Sequence, residues 1–123
     1  MKTNISVVGS IALDTLETPK GNQNDILGGS ATYFAISASK FSPVDVIGIV
    51  GSDFTKHGWD IFNTNNINHE YIIIEEGKTF RWGGRYNKDY SQRDTLFTDL
   101  GVFEHFTPKI KNIKNKNGIL CLA

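Results

Sequence analysis

Asp25-Ile-Leu-Gly28-Gly29-Ser30-Ala-Thr-Tyr33-Phe-Ala-Ile-Ser-Ala-Ser-Lys-Phe41 reads as the end of a strand, a glycine pair and then a helix. Ala31, Phe34, Ala35, Ala38 and Phe41 recur at three- and four-residue steps, an apolar stripe along one helical face. Ser30, or Gly29 itself, is placed to cap the first turn. A helix that opens on two glycines presents backbone N–H groups with no Cβ in the way, so a ligand's oxygens can approach them. A tight turn that packs a helix onto a sheet explains the same residues, and both readings stand at this point.

Upstream, Ile5-Ser-Val-Val-Gly9 is a short β-branched run ending in glycine, the pattern of a buried strand, and Ser10-Ile-Ala-Leu-Asp14-Thr-Leu continues it. An acid just beyond a buried strand lies where α/β sheets place ligands, outside the carboxyl ends of their strands. A turn aspartate bonded to its own backbone is the other account of Asp14. Leu13 to Thr18 and Asp25 to Leu27 are expected to form two short strands around the polar loop Pro19-Lys-Gly-Asn-Gln-Asn24.

Downstream, Val44-Asp-Val-Ile-Gly-Ile-Val50 is nearly continuous in apolar residues, as a parallel strand covered on both faces would be. Strand, helix and strand make a βαβ unit with a right-handed crossover. Gly51-Ser-Asp53 is a turn, Phe54 to Asn66 a second helix with Trp59 and Phe62 inward, and Tyr71-Ile-Ile-Ile-Glu75 a third strand of the same buried kind. His57 and His69 lack partners at metal-ligand spacing and read as surface residues. Thr79 to Trp82 and Arg93 to Thr98 look like hairpin arms joined by Asn87–Gln92, with Gly83-Gly84 interrupting the first arm at a bulge or a close backbone approach. Arginines 81, 85 and 93 mix there with Phe80, Trp82 and Tyr86. The ribbon reads either as a solvated hairpin or as a sheet that shields something, with arginines available to polar ligand groups. Lys109 to Asn117 is a basic, asparagine-rich surface segment. Gly118-Ile-Leu-Cys-Leu-Ala123 again has a buried-strand pattern, and its place at the end leads us to expect the front part of a longer protein.

The bulk properties exclude more than they assign. Lys and Arg together number 13, as do Asp and Glu, so net charge makes no case for nucleic acid or an anionic membrane. No apolar run approaches the roughly 20 residues of a membrane helix, and the N-terminus lacks a signal peptide's pattern. One cysteine, Cys121, rules out an internal disulfide and reads as a core residue. A cytoplasmic, soluble chain is expected.

Four segments, in this order, resemble the ribokinase-like, or PfkB-type, carbohydrate kinases. Val7-Val-Gly-Ser-Ile-Ala-Leu-Asp14 is similar to the family's first strand and sugar-binding aspartate, and Gly28-Gly29-Ser-Ala-Thr-Tyr-Phe-Ala35 to its glycine-pair signature. Val46-Ile-Gly-Ile-Val-Gly-Ser-Asp53-Phe54 with Gly58 is similar to its VGxVGxDxxG segment. Gly77 to Tyr86 and Asp94 to Phe103 resemble its lid strands.

The resemblance implies an α/β fold, mainly a parallel central sheet flanked by helices with a small β-lid, truncated. Residues 1–123 would be the N-terminal portion of one such domain, with lid strands at about 13–27 and 78–100 and the C-terminal ATP-binding half absent. It implies that Asp14 accepts hydrogen bonds from sugar hydroxyls and that Gly28 and Gly29 meet the sugar through backbone groups. Tyr33 stands where many members carry an asparagine, so ribose is not assumed. Arg85, like Arg81, is a candidate to reach the substrate from the lid. The catalytic aspartate turn of the family is not found, nor is a GxxxxGK[ST] loop. ATP and Mg²⁺ are therefore expected only for a full-length parent, and neither for this chain alone. The implied function is ATP-dependent phosphorylation of a hydroxyl on a small sugar or nucleoside-like substrate, with this chain supplying the sugar-side wall. Expected partners are the small-molecule sugar and a second copy meeting through the lid, with no nucleic acid and no membrane. Two rivals are a non-catalytic sugar-binding or regulatory module and a Rossmann-like nucleotide domain, although Gly9 to Asp14 lacks GxGxxG spacing.

Overall fold

The computed structural model describes residues 4–110 and 118–123. In chain order the elements are β1 (Ile5–Val8), β2 (Ala12–Thr18), β3 (Gly21–Gly28), α1 (Ser30–Ala38), β4 (Val44–Gly51), α2 (Lys56–Thr64), β5 (Ile67–Asn68), β6 (Ile72–Glu75), β7 (Phe80–Tyr86), β8 (Arg93–Asp99), a 3-10 helix (Gly101–His105) and β9 (Ile119–Leu122). They form two sheets.

The first sheet is parallel, in the order β5-β4-β1-β9, with β6 also pairing β4. Its β-branched residues make the core: Val7, Val44, Val46 and Val50 are fully enclosed, with Phe62 of α2, Ala31 and Ala35 of α1, and Ile11. The Thr55 hydroxyl caps α2 by accepting the Gly58 N–H at 3.1 Å. Trp59 stands edge-on to Phe54, their centroids 4.8 Å apart, and packs against the His69 ring.

The second sheet runs β3-β2-β7-β8. Its β2–β3 and β7–β8 pairs are antiparallel hairpins, whereas β2 and β7 pair in parallel, with Asp14 opposite Trp82. This is the architecture the resemblance implied, a parallel sheet with helices and a smaller β-ribbon.

Several local expectations are corrected. The stretch after Gly9 does not prolong β1: Ile11 is buried in the core and the chain crosses into the second sheet as β2. The apolar stripe stops at Ala38, leaving Phe41 88% exposed, because the chain turns before Pro43 to enter β4, and a residue preceding proline is pushed out of helical geometry. Only Ile72 of β6 is buried; Ile73 and Ile74 are exposed because β4 is that strand's one partner among the described residues. The bulge expected at Gly83-Gly84 is present as a register shift between them, although β7 itself runs on unbroken and rings take the place of their side chains. A Cβ on Gly83 would stand 2.3 Å from the Phe97 ring, and one on Gly84 2.2 Å from the Trp82 ring. The extra residue of that bulge is on the partner strand β8, Leu96 between Phe97 and Thr95. β9 lies at the sheet edge with Ile119, Leu120 and Leu122 exposed. Most of the basic segment, residues 111–117, lies outside the described residues.

Candidate substrate site

The start of α1 and the parallel β2–β7 pair converge on an open hollow of ≈ 210 Å³. Asp14, Gly29, Ser30, Tyr33, Phe80 and Trp82 line it. The position of Asp14 follows from the strand pattern, since β2 buries Ala12, Leu13 and Asp14 before it emerges.

Asp14 is 8% exposed, and no donor among the described residues hydrogen-bonds its carboxylate. Burial without a partner penalises the charge and pushes its pKa from 3.8 up to about 6. Both oxygens are therefore unspent acceptors at neutral pH. Gly28 makes this arrangement possible, because a Cβ there would lie 2.1 Å from Asp14 Oδ2. In this structure Gly28 acts through Asp14, giving the carboxylate room.

Gly29 caps α1 with φ 100° and ψ 153°, a conformation open to glycine, and a Cβ would stand 2.4 Å from the Ser10 carbonyl oxygen. That approach lets Ser10 close the helix start. The Ser30 N–H donates to Ser10 Oγ at 3.0 Å and the Ala31 N–H to the Ser10 carbonyl at 3.0 Å. The two first N–H groups of α1, expected to be available to a ligand, are thus spent internally. What remains facing the hollow is a carboxylate, a serine hydroxyl and aromatic rings, a set suited to hydroxyls and ring faces rather than to a phosphate.

Tyr33 forms the rim and is 58% exposed. Desolvation, then the charge of Asp14 and the neighbouring Tyr86 phenol, hold its own phenol above the usual range, so it stays a hydrogen-bond donor at neutral pH. Arg85 is not brought to the hollow. Its Nε donates to Glu17 Oε2 at 2.7 Å, and it borders a separate groove of ≈ 430 Å³ with Glu17 and Lys88. Arg81 is likewise engaged elsewhere, by Asp25 and Asp53. Strand alternation puts Arg81 on the face of β7 opposite Phe80 and Trp82. The arginine on the Trp82 side comes instead from β8: the Arg93 guanidinium lies 4.8 Å from the indole centroid.

Phe80 and Trp82 are the walls that motif reading missed as site residues. Their two-residue spacing placed them on one face, but nothing local placed that face over Asp14. No group of three or more His, Cys, Asp or Glu among the described residues is arranged to hold a metal ion. No described helix is long and apolar enough to cross a membrane.

Solved structures with this architecture identify the fold. The nucleoside kinase of Methanocaldococcus jannaschii, an archaeal member of the ribokinase family, superposes with a TM-score of 0.76 at 23% identity over 98% of this chain and 44% of that one. Ribokinase from Cryptococcus neoformans var. grubii in complex with ADP gives a TM-score of 0.80 at 15% identity, over 99% of this chain and 41% of its own. Halothermothrix orenii fructokinase gives 0.63 at 18% identity over 77% of this chain. The chain therefore has the ribokinase-like fold, and it spans less than half the length of these proteins. No protein-family model and no curated protein sequence matches it.

Proposed function

We propose that this chain forms the acceptor-side wall of an ATP-dependent kinase that phosphorylates a hydroxyl of a small sugar or nucleoside-like substrate. The observation that carries the reading is Asp14, a buried carboxylate with no internal partner, set between aromatic rings in a ribokinase-like fold. An ionised carboxylate accepts two hydroxyl donors at once and so fixes the orientation of a polyol. Phe80 and Trp82 offer apolar faces to the substrate's carbon skeleton, and Tyr33 closes the rim. These residues bind and orient; none of them is assigned the transfer step.

ATP and Mg²⁺ belong, in this proposal, to a longer parent chain. Among the described residues the first two N–H groups of α1 are bonded to Ser10 and so are not offered to a phosphate. The phosphoryl-transfer step depends on such groups, and no step is routed through this chain.

Isothermal titration against a panel of sugars and nucleosides tests the site. Asp14→Ala should weaken binding of the best ligand at least about tenfold, the worth of one charge-assisted hydrogen bond. Equal binding by both proteins would remove Asp14 from the site. In a longer parent, sugar- or nucleoside-dependent ADP release separates the kinase from a non-catalytic sugar-binding module.

A further inference from the structure

On the face of β7 turned away from the hollow, four residues from three segments meet. Arg81 pairs with Asp25 of β3 through one nitrogen, and its other donates to Asp53 Oδ2 at 3.1 Å. Asp53 Oδ1 also accepts the Thr79 N–H at 2.8 Å and the Thr79 hydroxyl at 2.7 Å. The Thr79 hydroxyl in turn accepts the Gly51 N–H at the end of β4, at 2.9 Å. Arg81 thereby joins both hairpins of the second sheet to the loop that leaves the core strand of the first.

Asp25 occupies a position that costs backbone energy. Its φ is 56°, and the β2–β3 register skips there, with Asp14 opposite Ile26 but Leu16 opposite Gln23. Asn24 and Asp25 thus stand against Thr15 alone, a bulge of the kind that re-aims a side chain. It aims this one at Arg81. In sequence Arg81 lies between Phe80 and Trp82, the two rings that line the hollow beside Asp14.

We propose that Arg81 is a positioning residue for the substrate site: held by Asp25 and Asp53, it fixes β7 so that Phe80 and Trp82 close over Asp14. The proposal rests on the reading of this hollow as the substrate wall, but its test needs no substrate. In this proposal Phe80 and Trp82 help keep water from the Asp14 carboxylate, whose burial raises its pKa, so the titration of Asp14 reports whether the rings are in place. The groups facing that carboxylate are the Tyr33 phenol from α1, the uncharged Phe80 and Trp82 from β7 with Tyr86 further along, and Gly28 from β3. The charges of Arg81, Asp25 and Asp53 lie on the other side of β7.

The side-chain carboxyl carbon of Asp14, followed by NMR against pH in the full 123-residue chain, should titrate near pH 6. In Arg81→Gln the midpoint should fall towards the ordinary 3.8, and Arg81→Lys should recover part of the shift. A merely stabilising Arg81 would lower the melting temperature and leave the midpoint where it was. A parent midpoint already at the ordinary value, or one unmoved in folded Arg81→Gln, overturns the assignment. If Arg81→Gln does not fold, Asp25→Asn, which removes one arm of the clasp, decides on the same readout. A midpoint that moves as expected in a chain that binds no sugar or nucleoside leaves the clasp standing and removes the substrate reading.

Discussion

β4 of the larger sheet is buried at all eight of its positions, whereas β8 of the smaller sheet is exposed at all seven. The first strand is held by the removal of Val44, Val46 and Val50 from water, at about 25 cal/mol for each Å² of apolar surface. The second has Leu96 and Phe97 exposed and is held by its pairing with β7, and its sheet meets the body through the buried Ile11 and Leu27 and through the polar clasp around Arg81. Core and hollow are thus divided between two sheets. The larger sheet carries most of the buried core, and the smaller sheet supplies Asp14, Phe80 and Trp82 to the hollow. Asp14 sits where they meet.

The division can be broken most sharply by truncating a ring in each region. Phe62 is fully enclosed beneath the larger sheet, so Phe62→Ala should cost about 3–5 kcal/mol in a urea melt. Phe97→Ala on the smaller sheet should cost under about 1 kcal/mol. Comparable losses would mean that the two sheets share one core. The joint between them is the next target. Thr79→Val removes a donor to Asp53 and leaves the Gly51 N–H without its acceptor, a loss of about 1–3 kcal/mol by the same measurement. A neutral Thr79→Val would show that apolar packing around Ile11 and Leu27, and not the polar clasp, joins the sheets.

The last contrast concerns pH, and the two acids at the junction act with opposite sign. Asp14 is raised to about 6, so the folded state holds its proton more tightly than the unfolded chain does. Its ionisation therefore opposes folding, increasingly as pH rises from 3.8 to about 6 and fully above that. Asp14→Asn should accordingly melt above the parent by about 4 °C or more near neutral pH, the gap closing as pH falls to about 4. For Asp53 desolvation pulls the pKa upward, but the hydrogen bonds from Thr79 and Arg81 outweigh it and hold the carboxyl low. Its contribution is present above the unfolded value and is lost as pH falls through the folded one, so Asp53→Asn should reduce stability at neutral pH. Thermal melts of both variants across pH check the pair of signs.

Much of the larger sheet was legible because its signals are local. A run such as Val44 to Val50 has few alternatives to a buried strand, and a helix opening at Gly28-Gly29 announces itself through backbone freedom. The place of Asp14 was legible for a related reason, an acid set just where a buried strand emerges, and the structure puts it in the lining of the hollow. The arginines were not. Arg81 and Arg85 looked available for a ligand, yet Asp25, Asp53 and Glu17 engage them, and those partners are distant in sequence. The ligand role assigned to the α1 start was also only half visible, because Ser10, which takes its first two N–H groups, arrives from the preceding crossover.

The sequence by itself determined the strand–helix–strand body, the glycine pair at its turn and the acid beside it, since each depends on neighbours a few residues away. Only the tertiary structure decided what faces that acid. The parallel pairing of β2 with β7 sets Trp82 opposite Asp14, and Asp25, at the bulge of β3, pairs with Arg81. Both depend on the path of the whole chain between the two strands, which no local pattern encodes.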